Sequence, residues 1–123
     1  REEFRPFAPS VIKDFQNDWF EDSFDNFYMS SISKVKKHKK DIIPAVTHVD
    51  GTARIQSVSK KINLKFYNLI MNFYHLTQIP MLLNTSFNEN EPIVNTPEEA
   101  LKCFLRTEMD ALVLNNFLVF KKK

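Results

Sequence analysis

The stretch Leu64–Asn84, LKFYNLIMNFYHLTQIPMLLN, decides the fold class. Phe66, Leu69, Ile70, Phe73 and Leu76 recur at three- and four-residue spacing, the period of one helix face. Tyr67, Met71 and Tyr74 form a second apolar stripe, so the spacing predicts a helix over 64–77 that is buried on most sides. Pro80 closes it, because proline cannot continue a helix. Met81 to Leu83 is an apolar run of strand length and predicts a short buried strand. A helix running straight into a buried strand is a mark of an α/β domain.

Working outward, Asp50-Gly51 lies between two β-rich runs, Ala45 to Val49 and Ala53 to Val58. That arrangement predicts a hairpin closed by a type I′ turn, which needs positive φ. Upstream, Phe27 to Val35 reads as a strand and Lys13 to Phe20 as a short helix carrying Phe15, Trp19 and Phe20. Pro6 and Pro9 disfavour helix before that, so Arg1 to Ser10 is expected to be extended. Downstream, Thr96-Pro97-Glu98-Glu99 is a capping box with proline at the first helical position. It predicts a helix to about Arg106 with Ala100, Leu101, Phe104 and Leu105 on its apolar face. Ala111 to Leu114 and Phe117 to Phe120 read as two strands joined at Asn115-Asn116. The expected whole is a single α/β domain over residues 1–123, a mixed sheet with helices packed on it.

Composition bounds the function classes. The chain has 123 residues, 43% of them hydrophobic, with twelve Phe, which is enough to build a core. No apolar run approaches the ~20 residues that span a bilayer. The charged start, Arg1-Glu2-Glu3-Phe4-Arg5, is no signal segment. The lone Cys103 cannot make an internal disulfide, which suits a cytoplasmic protein. A net charge of +2 does not argue for a polyanion partner. The missing initiator Met and the solitary Gly51 fit a piece of a longer enzyme.

Several residues qualify as chemical candidates. Asn84-Thr85-Ser86-Phe87-Asn88 places polar groups at the end of a strand, where α/β sheets bind ligands. Alternation sends Ser86 and Asn88 one way and Phe87 the other; a polar turn is the competing reading. Arg54, after Asp50-Gly51-Thr52, is a rigid five-donor fork suited to phosphate, or else an ordinary surface arginine. His48 is a candidate general acid or base beside Asp50, set against a hydrogen-bonded structural histidine. Arg1 and Arg5, in a stiff extended segment, could line an anionic pocket or simply be solvated. The basic stretch Lys34 to Lys40 has no interleaved aromatics and reads as a solvated loop rather than a nucleic-acid site. Cys103 reads as packing. His38 and His75 lack metal-ligand spacing, and no glycine-rich phosphate loop is present.

Taken together, these segments resemble the C-terminal region of the O-carbamoyltransferases, which carbamoylate nodulation factors, cephalosporins and aminoglycosides. Arg1-Glu2-x-Phe4-Arg5-Pro6-Phe7-Ala8-Pro9-Ser10 opens the likeness. Pro44-Ala45-Val46-Thr47-His48-Val49-Asp50-Gly51-Thr52-Ala53-Arg54-Ile55-Gln56 continues it. Phe66-Tyr67-x-Leu69-Ile70, Leu82-Leu83-Asn84-Thr85-Ser86-Phe87-Asn88 and Glu91-Pro92-Ile93-Val94 follow. Thr96-Pro97-Glu98-Glu99-Ala100 and Asp110-Ala111-Leu112-Val113 complete it.

The resemblance implies a YrdC-like twisted α/β fold, truncated at its N-terminal side. It implies formation of carbamoyl-adenylate from carbamoyl phosphate and ATP with Mg²⁺. A separate metal-binding N-terminal domain of the same polypeptide would pass the carbamoyl group to a hydroxyl-bearing small-molecule or saccharide acceptor. By resemblance, Arg1, Arg5, Arg54, Ser86 and Asn88 contact nucleotide and carbamoyl phosphate. Arg54, Ser86 and Asn88 would carry the catalytic work, with His48 and Thr85 as further candidates. No metal ligand is implied within this stretch, and neither membrane nor nucleic acid is an expected partner. Arg1 resembles the arginine of a Lys-x-Arg element of YrdC-like proteins, whose lysine would lie two positions earlier and outside these residues, so the isolated stretch would hold an incomplete site. Gln78 stands where the family often has glycine at a helix end. The rival class is a non-catalytic nucleotide- or RNA-binding or docking module.

Overall fold

The computed structural model describes residues 7–21, 24–87 and 93–122. The chain divides into two compact units, residues 1–85 and 86–123.

The first unit is built around β1 (Ala8–Ile12), which is buried along its whole length. β5 (Gln56–Val58) pairs with it in parallel and β6 (Met81–Asn84) antiparallel, giving the order β5-β1-β6. Register follows from alternation. Ile12, Val58 and Leu82 share one face and pack with Ile70, Phe66 and Met71 of α2 (Leu64–Thr77). Val11 and Met81 take the opposite face and join a second cluster with Phe20, Val35 and Ile55. That cluster includes residues of a small antiparallel sheet, β2 (Phe20–Glu21), β3 (Ser33–Val35) and β4 (Thr52–Ala53), in that order. Between β1 and β2 runs a 3₁₀ turn (Lys13–Phe15) leading into α1 (Gln16–Trp19), the short helical segment that the sequence predicts.

Helix α2 has the predicted bounds. Asn63 caps its start by accepting the Phe66 N–H at 3.2 Å. Gln78 ends it in the left-handed region at φ 63, with its N–H donated to the Tyr74 carbonyl. Burial on most sides does not hold: Leu69 and Leu76 are exposed, and only one face meets the sheet.

Two further expectations are corrected. Only Ser33–Val35 of the Phe27 to Val35 run is strand. Asn26 draws the residues that follow it into a turn, its carboxamide accepting from the Ser30 N–H and donating to the Ser31 carbonyl. The segment Ala45 to Val49 is not a strand either. Pro44 starts a 3₁₀ turn over Pro44–Val46, and the Thr47 hydroxyl closes back on Ile43. Asp50-Gly51 therefore turns the chain without making the expected hairpin. Gly51 alone is left-handed, at φ 84, and its N–H bonds the His48 carbonyl, while β4 pairs with β3 and β5 pairs with β1. Among the described residues the strands form three small sheets, and the first of them, β5-β1-β6, is mixed.

The second unit is α3 (Pro97–Arg106) packed on the hairpin β7 (Ala111–Leu114) and β8 (Phe117–Phe120). Thr96 caps α3 through the Glu99 N–H at 3.1 Å, and the Glu99 carboxylate accepts from the Asn95 N–H. Ala100 and Phe104 bury against Leu112, with Phe87, Val94 and Val119 around them. Cys103 is buried as expected, whereas Leu101 and Leu105 lie on the exposed side. Asn115, at φ 52, turns the hairpin. The α/β class is as the sequence indicates.

Candidate functional site

Parallel pairing of β5 and antiparallel pairing of β6 bring three chain ends to one end of the first sheet. They are the start of β1, the start of β5 and the finish of β6, where Ala8 lies opposite Asn84. Arg54 stands two residues before β5. Ala53 and Ile55 on either side of it are fully buried, which forces the arginine outward into solvent. No described residue forms an ion pair with it.

A polar network ties this end together. The Gln56 carboxamide oxygen accepts from the Ser10 hydroxyl and from the Asn84 amide, both at 2.8 Å. Its own amide donates to the Phe27 carbonyl at 3.3 Å. Ser10 is wholly buried, so its hydroxyl needs that partner. Behind it, the Ser57 hydroxyl donates to Gln16 and accepts from the Asn26 N–H, pinning the 24–31 loop against β5. Ser10 and Gln56 do not stand out as candidates in the sequence, and Asn84 does so only within the polar run 84–88. Their signal was present: three polar residues at inward positions of strands, which a buried sheet tolerates only when they pair.

Thr85 leaves the end of β6 and is exposed. In the second unit, Ser86 is exposed while Phe87 packs into that unit's core, in line with the alternation expected from the sequence. The Phe87 carbonyl accepts from the Val94 N–H at 3.0 Å. Arg1, Arg5 and Asn88 lie outside the described residues.

His48 is half-buried at the turn. Its N–H donates to the Thr52 carbonyl at 2.7 Å and its own carbonyl accepts from Gly51, so its bonds here are those of the backbone. Asp50 is held below the ordinary carboxylate range. The Thr52 hydroxyl at 2.7 Å is the main cause, then the Thr52 N–H at 3.0 Å, with the charge of His48 a lesser one. The basic stretch is not a plain loop: Lys34 lies in β3 and Lys37–Lys39 form a 3₁₀ turn, with the Lys39 ammonium 4.3 Å from the Trp19 ring centre. Among the described residues, no group of three or more His, Cys, Asp or Glu could hold a metal. No described helix is long and apolar enough to cross a membrane.

The family model for the carbamoyltransferase C-terminus matches residues 1–121. The chain belongs to that family. Among similar proteins is the nodulation protein NolNO of Sinorhizobium fredii, 46% identical over 126 residues, covering 99% of this chain and 18% of that protein. NolO of Bradyrhizobium diazoefficiens is 44% identical over 126 residues, covering 99% of this chain and 23% of its own. An uncharacterized protein of Methanocaldococcus jannaschii is 42% identical over 121 residues, covering 98% and 24%. This carbamoyltransferase region thus spans about a fifth of the length of the curated relatives it matches.

Proposed function

We propose that this carbamoyltransferase region binds Mg-ATP and carbamoyl phosphate and supports formation of carbamoyl-adenylate. The family match over residues 1–121 carries this reading. In the reaction, a bond forms between the carbamoyl oxygen and the α-phosphorus. Pyrophosphate leaves ATP, and inorganic phosphate is released from carbamoyl phosphate with one water consumed.

Two polyanions must be held together, so their repulsion has to be cancelled in fixed geometry. Arg54 supplies permanent charge with no proton to gain or lose, and its exposed fork needs no described partner to be displaced. Ser86 and Thr85 offer neutral hydroxyls for phosphate oxygens, and Arg1, Arg5 and Asn88 join the set by resemblance. The Mg²⁺ arrives with the triphosphate. His48 is assigned a turn-forming role. The carbamoyl group would then pass to a hydroxyl acceptor held by the rest of the polypeptide.

The test is a titration of the chain with Mg-ATP, followed by NMR. Shifts centred on Arg54 and on Thr85 to Ser86, abolished by Arg54→Ala, support the reading. Shifts confined to Lys34–Lys40 and lost steeply with salt would instead favour the RNA-binding alternative.

A further inference from the structure

We infer that the outer edge of β6, with the apolar groove beside it, is the seat of an extended apolar segment of the same polypeptide from outside residues 1–123. Three observations converge. Among the described residues, β6 pairs with β1 alone, so its other edge presents backbone donors and acceptors with no strand opposite. Beside that edge lies a cavity of about 540 Å³, walled by the Ile42–Val46 turn on one side and by Phe73, Ile79, Met81 and Leu83 on the other. Every side chain that lines it is apolar, and none is able to hold a charged ligand.

The apolar surface also continues past the groove. Leu69, Phe73 and Leu76 form one stripe of α2 at i, i+4, i+7 spacing. Leu69 is 57% and Leu76 86% exposed, and Leu83 on β6 is 52% exposed. Leucines exposed at core spacing next to an apolar groove mark an interaction surface.

The occupant follows from length and chemistry. Relatives aligned over 98–99% of this chain carry roughly four-fifths of their own length beyond the match. Extra chain of that kind on this protein would be present at stoichiometric amount and high effective concentration, which favours it over a second molecule. Edge and groove together fit strand addition: main-chain hydrogen bonds to β6, with alternate side chains entering the groove.

The experiment uses the whole gene product, expressed from its own reading frame. Leu76→Cys, Leu83→Cys and, as a reference, Leu105→Cys (69% exposed in the second unit) are labelled with a maleimide and read by peptide mass spectrometry. Labelling at positions 76 and 83 at least tenfold slower than at 105, independent of protein concentration, supports the inference. Equal rates overturn it. Protection that fades on dilution also overturns it, by assigning the face to a second copy. Deuterium exchange of the Met81–Asn84 amides in the unsubstituted protein gives a second reading. Slow exchange along β6 is expected, and exchange as fast as in the exposed turns refutes the added strand.

Discussion

The Gln56 carboxamide oxygen accepts two hydrogen bonds at once, from Asn84 Nδ2 and from Ser10 Oγ, each at 2.8 Å. One side chain thereby fastens both edge strands of the first sheet to the central strand. Gln56→Leu keeps the bulk and leaves the buried Ser10 hydroxyl without its acceptor. The expected loss is about 1–3 kcal/mol, read from the urea midpoint. Gln56→Glu retains both acceptor interactions and should recover part of it.

Arg54 is exposed between two buried neighbours, so its removal touches no packing. Arg54→Ala should change stability by no more than about 0.5 kcal/mol. Mg-ATP affinity should fall at least tenfold by titration calorimetry, the size of one lost charged hydrogen-bonding contact of ~1.5–3 kcal/mol. Unchanged affinity would remove Arg54 from the site.

Gly51 holds φ at 84, and a Cβ there would come within 2.6 Å of the Lys40 ammonium. The lysine tip can swing away, but the backbone strain remains. Gly51→Ala should cost about 1–2 kcal/mol by thermal unfolding. Gln78, at φ 63, is the reverse case. Gln78→Gly relieves the strain of a left-handed backbone at a residue with a Cβ and should raise stability by up to ~1 kcal/mol.

Asp50 gives a pH dependence. Its carboxyl is held below the ordinary value of 3.8 by the Thr52 hydroxyl and N–H. A group depressed in the folded state stabilises above its unfolded value, and that stabilisation is lost as pH falls through the folded one. The stability difference between the protein and its Asp50→Asn variant should therefore be constant near neutrality and shrink below about pH 4. Denaturant midpoints measured at several pH values check it. A difference that grows on acidification contradicts the assignment.

Phe104 is wholly buried and central to the second unit. Phe104→Ala should cost about 3–5 kcal/mol. The loss should show first in hydrogen exchange of the 97–120 amides.

What could be read from the sequence was local. Helix α2, the Thr96 cap and the β7–β8 hairpin depend on neighbours within a few residues, and periodicity and capping chemistry reported them correctly. The errors came from pairing at a distance. Asp50-Gly51 announced a turn, but nothing nearby tells β5 to lie parallel to β1 rather than against its neighbour. Leu69 and Leu76 announced a buried helix face, yet both are exposed, because periodicity reports the stripe and not what packs on it. For the candidate site, Arg54, Thr85 and Ser86 stood out by residue type. Gln56 did not, because its importance lies in two partners, 46 and 28 positions away.

The division into two units falls between Thr85 and Ser86, inside the run Asn84-Thr85-Ser86-Phe87-Asn88. A recombination or circular-permutation scheme that took this compactness boundary as a natural cut would put the first half of the run proposed to meet the nucleotide on one module and the second half on another. Chimeras between carbamoyltransferases are better joined at a surface turn such as Asn115-Asn116, where exchange leaves that run whole.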